Sequence, residues 1–156
     1  MLTLTAQPAL LRTVRAAPAD LGDALTGAIF GLIAATSSSG AEPAGPPFAR
    51  YLSRGDAADP TMVVEAGLPV VAPPTGALPD DVVAGELPAG EAVALVFVGP
   101  HERLGEAHAA LDGWLAAHRR DAAGPRWEVF LTNPVTTPDP EQQRTKVFVP
   151  LREVAP

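Results

Sequence analysis

The chain has 156 residues, no cysteine, one lysine (Lys146) and a formal net charge of −7. Disulfide staples and thiolate metal sites are excluded by composition. A nucleic-acid backbone is not an expected partner, because the scattered arginines offer no cationic cluster to displace its counterions. The length fits one domain or two small fused halves and is enough to bury a core. The longest apolar run, "GAIFGLIAA", falls short of the about 20 residues that cross a bilayer. The start, "MLTLTAQPALLRTVRAA", lacks the pattern of a signal peptide. These readings lead us to expect a cytoplasmic protein without a membrane segment.

The elements begin with a strand in "ALLRTVRA", polar for a strand, with Arg12 and Arg15 three apart. Pro18 then precedes a helix in which Leu21, Leu25, Ala28, Ile29 and Leu32 recur at helical spacing. "TSSSGAEPAGPP" is a loop by composition. Two strands close the first half, within residues 45–52 and 59–70, separated by the turn-rich "RGDAADP". "VAPPTGALPDDVVAG" reads as a linker. The second half opens on "AVALVFV", a β-branched strand. Beyond Pro100, a helical stripe runs through Leu104, Ala107, Leu111, Trp114, Leu115 and His118. It ends in "HRRDAAG", basic residues followed by glycine. Two last strands fall within 124–131 and 139–151, with "NPVTTPDPEQQ" turning between them.

This order repeats. "LTAQPALLRTVRAAPADLGDA" (4–24) aligns without a gap on "LPAGEAVALVFVGPHERLGEA" (87–107), and "GPPFARYL" (45–52) aligns on "GPRWEVFL" (124–131). "DPTMVVEAGLPV" (59–70) resembles "DPEQQRTKVFVPL" (139–151). Three segments in the same order indicate two homologous halves, about 1–75 and 80–156. The expected fold is α+β: two βαββ repeats related by a pseudo-two-fold axis, antiparallel sheets with helices on one face, and a central cleft.

"LGEAHAALDGWLAAH", "GPRWEVFLTNP" and "PDPEQQRTKVFVPL" together resemble the GyrI-like small-molecule-binding family, which also supplies effector-binding domains to AraC- and MerR-type transcription regulators. The resemblance covers nearly the whole chain, residues 1–156, as a single stand-alone domain with no residues left for a helix-turn-helix. It implies a cleft for lipophilic, often cationic compounds, with the glutamate matched here by Glu128 at its base. Some stand-alone members are hydrolases that open strained cyclopropane rings of DNA-alkylating natural products, and one inhibits DNA gyrase. Two positions depart from the family pattern: His101 and Phe148 stand where tyrosines are frequent. A mechanism needing a phenol at either place lacks its hydroxyl here.

Glu128 is the leading candidate, as ligand-binding acid or as catalytic residue. Alternation along a strand puts Glu128 and Phe130 on one face, with Trp127 and Val129 on the other. A buried carboxylate without a partner loses several kcal/mol of hydration. It is relieved by an arginine (Arg12, Arg50 or Arg144), by exposure at a sheet edge, or by a cationic ligand. Phe48, Tyr51, Phe97, Trp114, Trp127, Phe130 and Phe148 are nearly the whole aromatic stock. Aromatic faces attract cations: any one ring taken alone reads first as core packing, and the group around Glu128 reads as a ligand-binding wall for flat or cationic compounds. Tyr51 is the one phenol and a second catalytic candidate. Arg50 is a candidate for a ligand's anionic group or for neutralising Glu128. The histidines lack metal-site spacing, since Gly105 stands where "HERLG" would need a second histidine. No cofactor motif is present. Three function classes remain open. The favoured one is a binding protein for lipophilic small molecules, a sensor or sequestering agent. A cyclopropane-opening hydrolase and a gyrase-interacting module follow. The expected assembly is a monomer or homodimer, with the protein partner unspecified.

Overall fold

A computed structural model describes residues 1–154; positions 155–156, the end of the expected second repeat, lie outside the described residues. The fold is α+β, and the described residues form eight strands and two long helices: β1 Leu2–Leu4, β2 Gln7–Ala16, α1 Leu21–Ser39, β3 Phe48–Ser53, β4 Met62–Pro69, β5 Val83–Leu87, β6 Gly90–Val98, α2 Leu104–His118, β7 Trp127–Phe130 and β8 Arg144–Pro150. It divides into two compact units. The N-terminal unit is Ala6–Leu87; the C-terminal unit is Met1–Thr5 with Pro88–Pro156.

In the N-terminal unit β4 lies between β2 and β3, and β5 extends the sheet on the far side of β2, all antiparallel. In the C-terminal unit β8 lies between β6 and β7, and β1 extends the sheet on the far side of β6. The strand order is therefore the same in both. The chain reaches it by an exchange: β1 precedes β2 in sequence but pairs with β6, while β5 precedes β6 but pairs with β2. Leu4 and Leu87, which begin the aligned segments, lie in these two strands. Neither strand was expected from sequence. β1 has three residues, too few to show alternation, and β5 begins inside the stretch read as a linker.

Two further expectations need correction. The stretch "TSSSG" is not a loop at its start, because α1 runs through Ser39 before Gly40 ends it at φ 71°. The hydroxyls explain this: Thr36 donates to the Ile33 carbonyl, and Ser38 and Ser39 both donate to that of Ala35. Bonded back into their own helix, they no longer compete with it. At 19 residues α1 is, by length and composition alone, long and apolar enough to cross a membrane. Its apolar stripe of Leu21, Leu25, Ala28, Leu32 and Ala35 is buried, and the helix packs on β2 and β4. The second helix does not end on a glycine. Arg119 takes the left-handed conformation at φ 53°, with its N–H on the Leu115 and Ala116 carbonyls.

The C-terminal unit's core joins Leu104, Ala107 and Leu111 of α2 to Val93, Val147 and Val149 of the sheet. Burying each large aliphatic side chain there stabilises the unit by about 1.5–3 kcal/mol. In the N-terminal unit the Phe48 ring lies over Gly67, its partner across β3 and β4, and a Cβ at that position would come within 2.1 Å of the ring. Gly67→Ala is expected to lower stability by about 1–3 kcal/mol in urea denaturation. The double variant Phe48→Leu/Gly67→Ala should lose less than the sum of its two single changes.

Candidate functional site

Register fixes which side chains share a face of the C-terminal sheet. Val147 and Val149 pack against α2, so alternate residues of β8 face the helix, Thr145 included. Leu95, Val147 and Glu128 form one cross-strand row on that face, and Phe97, Thr145 and Phe130 form the next. Glu128 and Phe130 therefore point together, under α2. Trp127 lies on the opposite face, stacked on Phe148 at 5.2 Å between ring centroids, and Lys146 sits 5.0 Å over the same Phe148 ring.

Glu128 is 3% exposed, in the middle of a four-residue strand. Its Oε1 lies 2.8 Å from Nε2 of His108. His108 is 9% exposed and falls in the apolar stripe of α2, beside Ala107 and between Leu104 and Leu111. On the far side of the ring, Nη1 of Arg126 lies 3.2 Å from Nδ1. Arginine can only donate, so Nδ1 accepts and the ring proton sits on Nε2, where it is donated to Glu128. Arg126 in turn is tied to Asp112 of α2. The series Asp112, Arg126, His108, Glu128 thus joins helix and strand. The imidazole orients the carboxylate without bringing a positive charge to it, while the charge of Arg126 is opposed by Asp112.

At the entrance to α2 a short 3-10 turn, His101–Arg103, stacks the exposed His101 ring on Phe130 at 5.7 Å between centroids. Arg103 is paired with Glu106, whose carboxyl its hydrogen bond holds below the usual carboxylate range. Phe97 and Phe130 are half-buried. Trp114 packs at the edge of the α2 core and stacks on His118 at 4.1 Å.

Two of the three arginines considered as partners of Glu128, Arg50 and Arg12, have partners elsewhere. Arg50 meets Glu65 at 2.8 Å, its neighbour across β3 and β4, and also donates to the Glu86 carbonyl. Arg12 meets Asp81 at 3.0 Å. In the N-terminal unit Phe48 is buried, and Tyr51 is half-buried with Arg54 over its ring at 5.0 Å. By the repeat alignment Tyr51 matches Phe130, and Ala49 holds the place of Glu128. That unit also carries a depression of about 410 Å³ lined by Arg12, Val14, Asp23 and Gly27 among others.

The structure thus brings Glu128, Phe130 and Phe97 to one face, sends Trp127 and Phe148 to the other, and adds His108 and Arg126. These two were missed from sequence. The one signal for His108 was an imidazole inside an otherwise apolar stripe. Among the described residues no group of three histidine, aspartate or glutamate side chains is placed to hold a metal ion.

The sequence matches the family model of the GyrI-like small molecule binding domain over residues 45–152, more than half of its length. The chain belongs to the GyrI-like family. Solved structures share the fold at low identity. The EcmrR C-terminal domain superposes with a TM-score of 0.77 at 16% identity, covering 99% of this chain and 100% of that one. A hydrolase encoded by lin2189 from Listeria innocua gives 0.69 at 16% identity, with 97% and 90% covered. SAV2435 bound to tetraphenylphosphonium gives 0.58 at 10%, with 97% and 92% covered. The EcmrR chain in its DNA complex gives 0.82 at 16%; this GyrI-like chain spans only 56% of it. Comparison with curated proteins gives no match.

Substituting His108 by leucine removes the hydrogen bond that Glu128 accepts. His108→Leu is expected to cost about 1–3 kcal/mol of stability. A double-mutant cycle of His108→Leu with Glu128→Leu, read by urea denaturation, should give a coupling of about 0.5–3 kcal/mol. A coupling within error of zero would contradict the hydrogen bond.

Proposed function

We propose that this GyrI-like protein takes up lipophilic, cationic small molecules, as a sensor or sequestering agent. The observation that carries the reading is Glu128: a carboxylate nearly out of water, oriented by His108 and set in a row next to half-buried Phe97 and Phe130. Burial makes such a group costly to maintain and also strengthens its attraction for a positive charge that reaches it. A neutral imidazole donor preserves that attraction, whereas a guanidinium on the carboxylate would cancel it. Aromatic rings beside it add cation–π attraction and apolar contact that tolerate different ligand shapes. Tetraphenylphosphonium, the cation bound to SAV2435, has this chemistry and is a suitable probe.

The His108–Glu128 pair also favours a second reading, hydrolysis. A carboxylate held in one orientation is suited to act as general base on a water. Glu128 would take the water's proton as its oxygen bonds to a cyclopropane carbon, and the strained C–C bond would open into the substrate's conjugated system. The Listeria relative named as a hydrolase supports this reading at the level of fold. Incubation with a cyclopropane-bearing alkylator separates the two readings: a water adduct formed over many turnovers makes the protein an enzyme, and a stoichiometric, unchanged complex makes it a binder.

For binding, tetraphenylphosphonium is expected to change the tryptophan fluorescence in a saturable way. Glu128→Gln keeps the shape and removes the charge, and should weaken that binding roughly tenfold, equivalent to about 1.4 kcal/mol. A neutral isostere such as tetraphenylmethane derivatised for solubility should lose little. Equal loss for neutral and cationic probes would refute the electrostatic role.

A further inference from the structure

The aromatic row next to Glu128 holds a polar group that the fold leaves unused. Thr145 is 1% exposed, and its hydroxyl has no hydrogen-bond partner. Its backbone pairs with Phe97 on one side and Phe130 on the other, so the hydroxyl sits between two half-buried rings on the face covered by α2. Glu128 is the diagonal neighbour across β7 and β8, in the next row of the same face, at a Cβ separation of roughly 7 Å. The exposed His101 ring stacks on Phe130, so this row lies toward the solvent end of the face.

A buried hydroxyl left without a partner destabilises the fold. Valine has the same shape and β-branching and would fill the position without that cost. Among the described residues the other buried side-chain atom without a partner is Nε of Arg120, whose guanidinium is otherwise engaged by Glu91. Thr145 has no such second contact, and it stands one row from the acid assigned to the ligand.

We propose that Thr145 is a specificity-determining binding residue: its hydroxyl pairs with a hydrogen-bonding group on an aromatic cation whose charge lies at Glu128. This rests on the ligand reading above and narrows it. The preferred compounds carry an O–H, N–H or carbonyl on a ring, displaced from the cationic centre by roughly the 7 Å of that diagonal. Threonine hydroxyl both donates and accepts, so it serves any of these groups. Fully apolar cations would be taken up by Glu128 and the rings alone and would leave the hydroxyl unmatched.

Tetraphenylphosphonium and its three monohydroxylated isomers, with the hydroxyl ortho, meta or para on one ring, test this against wild type, Thr145→Val and Thr145→Ser. At least one hydroxylated isomer is expected to bind wild type about three- to tenfold more tightly than Thr145→Val, the range of one hydrogen bond. Tetraphenylphosphonium itself should bind the two within about twofold, and Thr145→Ser should keep the preference. Without ligand, Thr145→Val should melt at or above the wild-type temperature. A fall of more than about 3 °C would mean the hydroxyl is bonded within the fold and would overturn the proposal. Equal binding of every isomer by wild type and Thr145→Val would overturn it too, while leaving the Glu128 reading intact. Failure of tetraphenylphosphonium to bind wild type at all would instead remove the Glu128 reading, and this one with it.

Discussion

A carboxylate under a helix is the constraint around which the C-terminal unit is arranged. Glu128 occupies a position that packing alone would give to valine or leucine, since its row partners are Val147 and Leu95. Keeping it there requires a donor inside the apolar stripe of α2, and His108 supplies one. Fixing the imidazole's proton on Nε2 requires a donor at Nδ1, which is Arg126, and Arg126 is balanced by Asp112. Each step removes a cost created by the one before. Such a series is hard to account for by stability, because buried charged networks often stabilise no more than apolar residues of the same volume. It is easily accounted for if the carboxylate meets a ligand.

Setting the two units side by side sharpens this contrast. Both units use the same strand order, but the N-terminal one places Ala49 where the C-terminal one places Glu128. Arg50, the nearest charged residue in that segment, is matched by Glu65 on the adjacent strand. The shared strand order therefore does not itself need an acid at this position. The asymmetry confines the buried acid to one unit, and the other carries Tyr51 half-buried beneath Arg54.

Much of this was legible in the sequence. Alternation in "WEVF" placed Glu128 and Phe130 on one face, and the observed contacts of His108 and His101 with those two residues agree. The stripe from Leu104 to Leu111 marked α2, and "TNPVT" forms the turn its composition indicated, with Asn133 accepting from the N–H groups of Val135 and Thr136. What stayed hidden was what sequence distance conceals. His108 and Glu128 are 20 residues apart on different kinds of element, so no local period links them. The nearby arginines attracted the pairing argument because charge is visible in a sequence and tautomer is not. The exchange of β1 and β5 was hidden for a related reason: a three-residue strand is defined by its partner more than by its own residues. The end of α1 was misread because hydroxyl side chains that favour loops can also bond back to helical carbonyls, and composition does not separate the two.

The most direct test of an inward-facing acid that receives a cation is a crystal structure with bound tetraphenylphosphonium. The phosphorus is expected on the α2 side of β7, adjacent to the Glu128 carboxylate, with aromatic contacts from Phe97 and Phe130. Density for the cation elsewhere, with Glu128 still closed beneath His108 and no ligand atom near it, would contradict the central role given to this residue.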